Sequence, residues 1–187
     1  MRKTAALALT AAAVAAALTG FAATAASAYP GGWTQSECRP GSPGVARTSW
    51  TCGAELVNGR AIPPPSAPPE VKAVIRFANH IDGRAYVWGG GHGSFTTKGY
   101  DCSGAVSYAL HGGGLLDYTM VSGELARWGV GGVGRWISVY ANDDHVYMVV
   151  AGLRYDTRDD PPGVSGPRWH TTMADPRRFK VRHPPGL

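Results

Sequence analysis

The order of two hydrophobic periods along the chain constrains its fold more than any single motif does. Apolar residues recur at helical spacing from Val71 to Ala78, and this pattern predicts a first helix. From residue 136 onward, short runs of β-branched and aromatic residues alternate with turn residues, which predicts strands. Helices that come first and antiparallel strands that follow predict an α+β fold in which N-terminal helices pack on a small antiparallel sheet.

Further elements follow from the same patterns. A second helix is expected to begin at Cys102 and to end at the glycines 112–114, and a short helix is expected within 122–128. The expected strands cover residues 136–141, 145–150, 153–157 and 179–183.

The turn between the second and third of these strands decides which side chains share a face. If Ala151 and Gly152 form the turn, His145 and Asp156 become diagonal neighbours on one face of the sheet. If the turn lies one residue later, the two side chains separate along the strands. The sequence leaves both registers open.

The first 28 residues have the features of a secretory signal peptide. Arg2 and Lys3 precede an alanine-rich apolar run, and small residues at 26–28 suit a cleavage site, so we expect the mature chain to begin at Tyr29. The apolar run is short for a membrane anchor, and no later segment is long enough to span a bilayer. The mature protein is therefore expected outside the cytoplasm, without a transmembrane segment.

The charge balance is mildly basic. The chain has 18 Lys and Arg against 13 Asp and Glu, and removal of the two basic signal residues lowers the net charge from +5 to +3. A basic cluster lies near the C-terminus and comprises Arg168, Arg177, Arg178, Lys180 and Arg182. A solvated basic face is the usual explanation, although an anionic polymer would also suit it. No basic stripe interleaved with aromatic residues indicates nucleic-acid binding.

Three cysteines leave an odd thiol in a secreted chain. Cys38 and Cys52 flank a Gly/Pro-rich loop and are expected to form a disulfide, although other pairings stay open. They belong to an N-terminal segment, 29–69, that ends in a proline-rich linker. We expect residues 70–187 to form a domain that folds without this segment. Cys102 is then the free cysteine.

A cysteine at the start of a helix suits nucleophilic chemistry. Unpaired backbone N–H groups at a helix N-terminus favour the thiolate of Cys102, and the thiolate is the nucleophile. A cysteine nucleophile needs a base and a group that orients the base. His145 at a strand start is the candidate base, Asp156 is the candidate orienting residue, and His170 is the alternative to Asp156. For each residue taken alone, a structural role would be the simpler interpretation.

Two other kinds of site are disfavoured. Residues 129–134 match the G-x-G-x-x-G pattern, but a strand pattern follows them where a dinucleotide site requires a helix. His92, Cys102, His111 and His145 lack the spacing of a zinc site. We therefore expect no metal and no cofactor.

Three motifs together resemble the NlpC-type peptidoglycan endopeptidases. They are Y-V-W-G-G at 86–90, Y-D-C-S-G at 100–104 and His145-Val146 opening a strand, and the resemblance extends over about residues 70 to 157. It implies a papain-like α+β fold and cleavage of the peptide stems of the bacterial cell wall. The bond such enzymes typically cleave joins the γ-carboxyl of D-glutamate to a diamino acid.

The resemblance also implies roles for individual residues. Cys102 corresponds to the nucleophile and His145 to the base, whereas Tyr86 lines the site. Asp101 and Ser103 correspond to residues that bind the free amine of the peptide. Two departures stand out in this sequence: residues 134–137 replace a P-G-D-L-like turn, and the third catalytic position, often histidine, is assigned to Asp156.

The function expected from the sequence is that of a secreted, wall-associated cysteine peptidase. Its expected partners are peptidoglycan stem peptides, and anionic wall polymers fit the basic excess. A catalytically inactive wall-binding protein of the same fold is the alternative, and an amidase or acyltransferase with the same dyad is a third hypothesis.

Overall fold

The structure is a computed structural model that describes residues 53–159 and 164–187. The signal peptide expected at 1–28 and the disulfide expected between Cys38 and Cys52 lie outside the described residues. Within the described residues, Cys102 is a free and buried cysteine. No helix in this part of the chain combines the length and the apolar character needed to cross a membrane.

The described residues form three α-helices, one 3-10 turn and eight strands. The helices are α1 (Pro69–Ile81), α2 (Cys102–Gly112) and α3 (Ser122–Leu125), and the 3-10 turn is Pro176–Arg178. The strands are β1 (Glu55–Val57), β2 (Arg60–Ile62), β3 (Val130–Gly131), β4 (Ile137–Ala141), β5 (Val146–Val150), β6 (Leu153–Asp156), β7 (Arg168–His170) and β8 (Lys180–His183).

The first helix forms where the apolar period predicts it. Proline at its first position fits because that residue has no helical N–H partner to lose. The apolar stripe from Val71 to Ile81 is buried, and α1 packs against α2. The fully buried apolar side chains of this layer contribute most of its stability, at about 1.5 to 3 kcal/mol for each large residue.

Six strands form one antiparallel sheet in the order β3-β8-β4-β5-β6-β7. Ala151 and Gly152 both have positive φ, 46° and 87°, and Val150 faces Leu153 across them. Positive φ at both central residues matches the type I′ turn that right-twisted hairpins favour. The first of the two expected registers is therefore confirmed.

The central strands are covered on both faces. One face carries the main core with the helices, through residues such as Val139, Met148 and Tyr155. The opposite face carries a second cluster in which Tyr140 and Tyr147 stack, with ring centroids 4.8 Å apart. The α+β fold expected from the sequence, with helices packed on an antiparallel sheet, is confirmed.

Some elements differ from the expected ones. β3 forms within the segment expected to be a glycine loop, because Val130 and Gly131 pair with His183 and Arg182 of β8. β8 itself enters the sheet between β3 and β4, a pairing between residues about forty to fifty positions apart. β7 and the β1-β2 hairpin were also not expected. The expected helix at 122–128 ends at Leu125.

The β1-β2 hairpin packs on the domain whose boundary we placed at residue 70. Ala61 is fully buried, and both its N–H and its carbonyl bond the side-chain amide of Asn79 on α1. The N–H of Ala54 donates to the carbonyl of Ala151 at 2.7 Å. The boundary remains a prediction, but these contacts cross it.

Candidate active site

The N-terminus of α2 is built around the side chain of Asp101. This residue is the helix N-cap, and its Oδ1 accepts the N–H of Gly104 at 2.8 Å and the hydroxyl of Ser103 at 3.0 Å. An aspartate in this position satisfies one of the helix N–H groups that have no partner in the first turn. Cys102 is thereby fixed as the first residue of the helix, with 9% of its surface exposed.

A backbone contact between two glycines holds the preceding loop against this helix. The N–H of Asp101 donates to the carbonyl of Gly90 at 3.0 Å. A Cβ atom built at Gly104 would lie 2.0 Å from the same carbonyl oxygen, which no side chain can tolerate. Glycine at 104 is therefore required for the loop to approach the helix this closely.

His145 immediately precedes β5 and is held from two sides. The side-chain oxygen of Asn142 accepts the N–H of His145 at 2.9 Å, which fixes its backbone in the turn between β4 and β5. Its ring Nε2 lies 2.8 Å from Oδ1 of Asp156. The side chain of Cys102 is near enough to this ring to contribute to the upward shift of its pKa. Because Nε2 is engaged by the aspartate, Nδ1 is the nitrogen available to the thiol.

The surroundings of His145 favour its charged form. Burial, the largest effect, lowers the pKa of this histidine, but hydrogen bonds to Asp156 and Cys102 and the negative charges of both groups raise it, and the net shift is upward. An imidazole with a raised pKa retains a proton taken from a thiol more readily. The arrangement can therefore support a thiolate-imidazolium pair.

Asp156 is buried and bonded through both carboxylate oxygens. Oδ1 accepts hydrogen bonds from the ring of His145 and from the backbone N–H groups of Thr157 and Arg158, whereas Oδ2 accepts one from Nη1 of Arg154 at 2.8 Å. The structure thus brings Cys102, His145 and Asp156 together. His170, the alternative to Asp156, lies on β7 opposite Arg154 in the sheet register.

Tyr86 lies on the loop that approaches the nucleophile. It forms an isolated parallel bridge with Tyr100, two residues before Cys102. Burial, followed by the negative charges of Cys102 and Asp101, raises the pKa of the Tyr86 hydroxyl. The side chain is therefore close enough to the nucleophile to sense its charge.

His92 is a residue near the site that the motifs did not reveal as functional. Its Nε2 lies 2.9 Å from Oδ2 of Asp101 and 3.0 Å from Oγ of Ser103, the pair expected to bind a substrate amine. Oδ2 of Asp101 also accepts the N–H of Gly89 at 3.0 Å. The only sequence signal for this role is a histidine inside the glycine loop that precedes the nucleophile.

The surface beside His145 is aromatic and basic. The Phe179 ring meets the His145 ring edge-on, with centroids 6.3 Å apart, and Phe179 also lines a cavity of about 420 Å³ with Arg178. A neighbouring groove of about 410 Å³ lies between the end of α3 and β8. Its lining residues are Ala126, Arg127, Asn142, Asp143, Arg178, Lys180 and Arg182. Trp88, on the loop that precedes Cys102, is 85% exposed.

The solved structures similar to this chain include a P60 domain and a peptidoglycan hydrolase. The P60 domain of an antigen from M. avium subspecies paratuberculosis is 21% identical, with a TM-score of 0.45, and the match covers 60% of this chain and 93% of that one. The hydrolase RipB from Mycobacterium tuberculosis is 26% identical, with a TM-score of 0.46, and the match covers 60% of this chain. This chain spans 64% of the RipB structure.

A third similar structure is a variant of the resuscitation promoting factor interacting protein RipA. It is 22% identical, with a TM-score of 0.46, and the match covers 70% of each chain. No family model matches the sequence, and no curated protein matches it.

Proposed function

We propose that this chain is a secreted cysteine peptidase that hydrolyses the peptide stems of bacterial peptidoglycan. One observation carries the proposal: Cys102 begins α2 beside His145, whose Nε2 lies 2.8 Å from Asp156. A nucleophile at a helix start, a base bonded to it and a carboxylate behind the base are the parts that a thiol hydrolase needs.

The first half of the reaction forms a thioester. Nδ1 of His145 takes the thiol proton, and the Cys102 thiolate attacks the carbonyl carbon of the stem peptide. The N–H of Cys102, which has no helical partner at this position, supports the oxyanion. Collapse of the tetrahedral intermediate breaks the C–N bond, and the imidazolium returns its proton to the departing amine.

The second half restores the enzyme. His145 takes a proton from water, the resulting hydroxide attacks the thioester carbonyl, and the C–S bond breaks. The proton held by His145 returns to the thiolate, and the product leaves as a carboxylic acid. Asp156 keeps the ring oriented and supports its positive charge in both halves.

The resemblance of the motifs suggests which bond is cleaved and where the substrate lies. We propose the bond between the γ-carboxyl of D-glutamate and the diamino acid, with Tyr86 lining the site. Anionic wall polymers are proposed as a further partner, because the groove along β8 is lined by four basic residues and one acidic residue. We propose that the protein acts outside the cell, in contact with the wall.

Digestion of purified peptidoglycan tests the function directly. The wild-type chain should release fragments whose masses match cleavage of the γ-D-glutamyl bond, whereas the Cys102→Ala variant should release none. Release at an undiminished rate by that variant would exclude cysteine catalysis. Fragments from a different bond, such as the one that joins the stem to the glycan, would indicate an amidase.

A non-catalytic wall-binding protein is the second candidate, and the low exposure of Cys102 favours it. Reaction with iodoacetamide at mildly acidic pH discriminates the two. A thiol activated by His145 should react there faster in the wild type than in the His145→Ala variant, whereas an inert buried thiol should react slowly in both.

A further inference from the structure

Arg154 is a buried arginine next to the candidate site. Only 1% of its surface is exposed, although it lies in the middle of β6. Burial of a guanidinium is costly unless the charge is paired and hydrogen-bonded. Its Nη1 donates to Oδ2 of Asp156 at 2.8 Å and to Oδ2 of Asp159 at 2.6 Å. The sheet places a charge here opposite Val149, where an apolar residue would pack at lower cost.

The two oxygens of Asp156 have different partners, and this difference gives Arg154 its role. Oδ1 accepts the His145 ring and two backbone N–H groups. Among the hydrogen bonds of the described residues, Oδ2 accepts one, from Arg154. Without this donor, a buried carboxylate oxygen would lose its partner, and the carboxylate could rotate to seek another.

We propose that Arg154 is a positioning residue: by holding Oδ2 of Asp156, it keeps Oδ1 against Nε2 of His145 and so aims Nδ1 at the Cys102 thiol. The inference rests on the proposed function and names a residue that supports the same site. Among the hydrogen bonds and ion pairs of the described residues, none joins Arg154 to Cys102 or His145. It acts through Asp156 alone.

The second partner of Arg154 explains how the guanidinium itself is held. Asp159 is 65% exposed, and the hydrogen bond from Arg154 is the largest of the effects that lower its pKa. Asp159 therefore pairs with Arg154 at the protein surface, whereas Asp156 pairs with it in the interior. An exposed partner contributes little energy, so its loss should leave the buried contact in place.

Three variants of the full chain separate positioning from simple stability. Arg154→Met removes the charge and keeps a side chain of similar length. Arg154→Lys keeps the charge but replaces the planar guanidinium by a compact ammonium. Asp159→Asn is the matched control. On purified peptidoglycan, Arg154→Met should lower kcat about 10- to 100-fold with little change in KM, because a misplaced catalytic group costs this much. Arg154→Lys should fall between wild type and Arg154→Met, and Asp159→Asn should stay within about twofold of wild type.

Titration of the His145 ring by NMR gives a measurement that does not need turnover. In wild type, Asp156 and Cys102 raise the pKa of this histidine against the effect of burial. When Arg154→Met releases Asp156, loss of the hydrogen bond from Oδ1 should lower this pKa by more than loss of the nearby positive charge raises it. Asp159→Asn should leave the pKa unchanged. An unchanged pKa in Arg154→Met would overturn the positioning role even if the protein degrades no peptidoglycan. If the wild-type protein cleaves no peptidoglycan but the variants change the pKa of His145 as expected, the result would count against the proposed function and not against the positioning role.

A double variant tests whether Arg154 acts through Asp156. In Asp156→Ala, Arg154→Met should lower kcat no further, because the residue through which Arg154 acts is absent. Multiplied losses in the double variant would contradict the proposal. If Arg154→Met does not fold, Arg154→Lys takes its place. Wild-type kcat together with a wild-type His145 pKa in that variant would overturn the inference.

Discussion

Nε2 of His145 lies 2.8 Å from Oδ1 of Asp156, and Arg154 binds the other oxygen of the same carboxylate. Asp156 therefore holds the ring through Nε2 and leaves Nδ1 for the Cys102 thiol. Both oxygens of the carboxylate accept hydrogen bonds, and both side chains of the pair are nearly inaccessible to solvent. This relationship determines what several substitutions should do.

Cys102→Ala and His145→Ala should each abolish peptidoglycan cleavage while the fold is retained. Alanine at 102 removes the nucleophile, and alanine at 145 removes the base that activates it. The measurement is release of stem fragments by mass spectrometry, with circular dichroism to confirm folding. Ser107→Ala, buried on the same helix and bonded to the backbone of Met120, serves as a control that should keep activity.

Asp156→Asn should be severe, although its shape is that of aspartate. If the amide nitrogen replaces Oδ1, it faces the N–H groups of Thr157 and Arg158, and if it replaces Oδ2, it faces the guanidinium of Arg154. With donors on both sides, kcat should fall about a thousandfold or more. A loss below about tenfold would contradict this expectation.

Protonation of His145 should stabilise the fold at low pH. The pKa of His145 is higher in the folded protein than in the unfolded chain, where it is near 6.5. The resulting stabilisation is fully present below the pKa of the unfolded chain and is lost as the pH rises through the pKa of the folded protein. Each unit of upward shift is worth about 1.4 kcal/mol. The measurement is the free energy of urea unfolding of wild type and His145→Gln between about pH 5 and about pH 9. Their difference should shrink as the pH rises, and a difference that grows would reverse the sign of the shift.

His92→Ala should strengthen the preference for substrates with a free amine. The imidazole lies against Asp101 and Ser103, so a free amine must displace it to reach that pair. We expect His92→Ala to lower KM for stem peptides with a free N-terminal amine relative to the same peptides after N-acetylation. His80→Ala, exposed on α1, is the control and should leave the ratio unchanged. An unchanged ratio in His92→Ala as well would show that the imidazole does not occupy the amine position.

Removal of the β1-β2 hairpin should weaken the domain without unfolding it. A chain of residues 63–187 loses the two bonds between Ala61 and Asn79 and the bond from Ala54 to Ala151, which together with the buried apolar area correspond to roughly 2 to 4 kcal/mol. Urea unfolding of 53–187 and 63–187 measures the difference. Asn79→Ala in 53–187 should reproduce part of it. Equal stability of the two chains would support the boundary at residue 70.

Local patterns predicted the elements that local chemistry determines. Ala151-Gly152 sets the register between β5 and β6, and this register alone places Asp156 on the face of His145. The Asn58-Gly59 turn of the β1-β2 hairpin is also a local signal, with φ of 50° and 79°, and a search for Asn-Gly pairs would have found it. Its strands of three residues were too short for their alternation to be recognised.

The parts that local patterns missed depend on contacts between distant segments. β3 has two residues and exists because β8 pairs with it, and no local period in 129–134 predicts that. Arg154 is a polar residue within a strand pattern, and its burial becomes apparent only when Asp156 and Asp159 both converge on it. His92 reaches Asp101 through a loop whose path depends on positive φ at Gly89 and Gly91.

The contact between Gly90 and Gly104 has a mechanical consequence. The loop carbonyl touches the helix backbone with no side chain between them, so the loop and the start of α2 cannot slide past each other without breaking that contact. This contact joins the loop that carries Trp88 and His92 to the start of α2, which carries Cys102, whereas His145 lies at the end of the sheet. Any motion that lets a bulky polymer reach Cys102 must therefore move the loop and the start of α2 together, and the distance from thiol to imidazole would measure that motion.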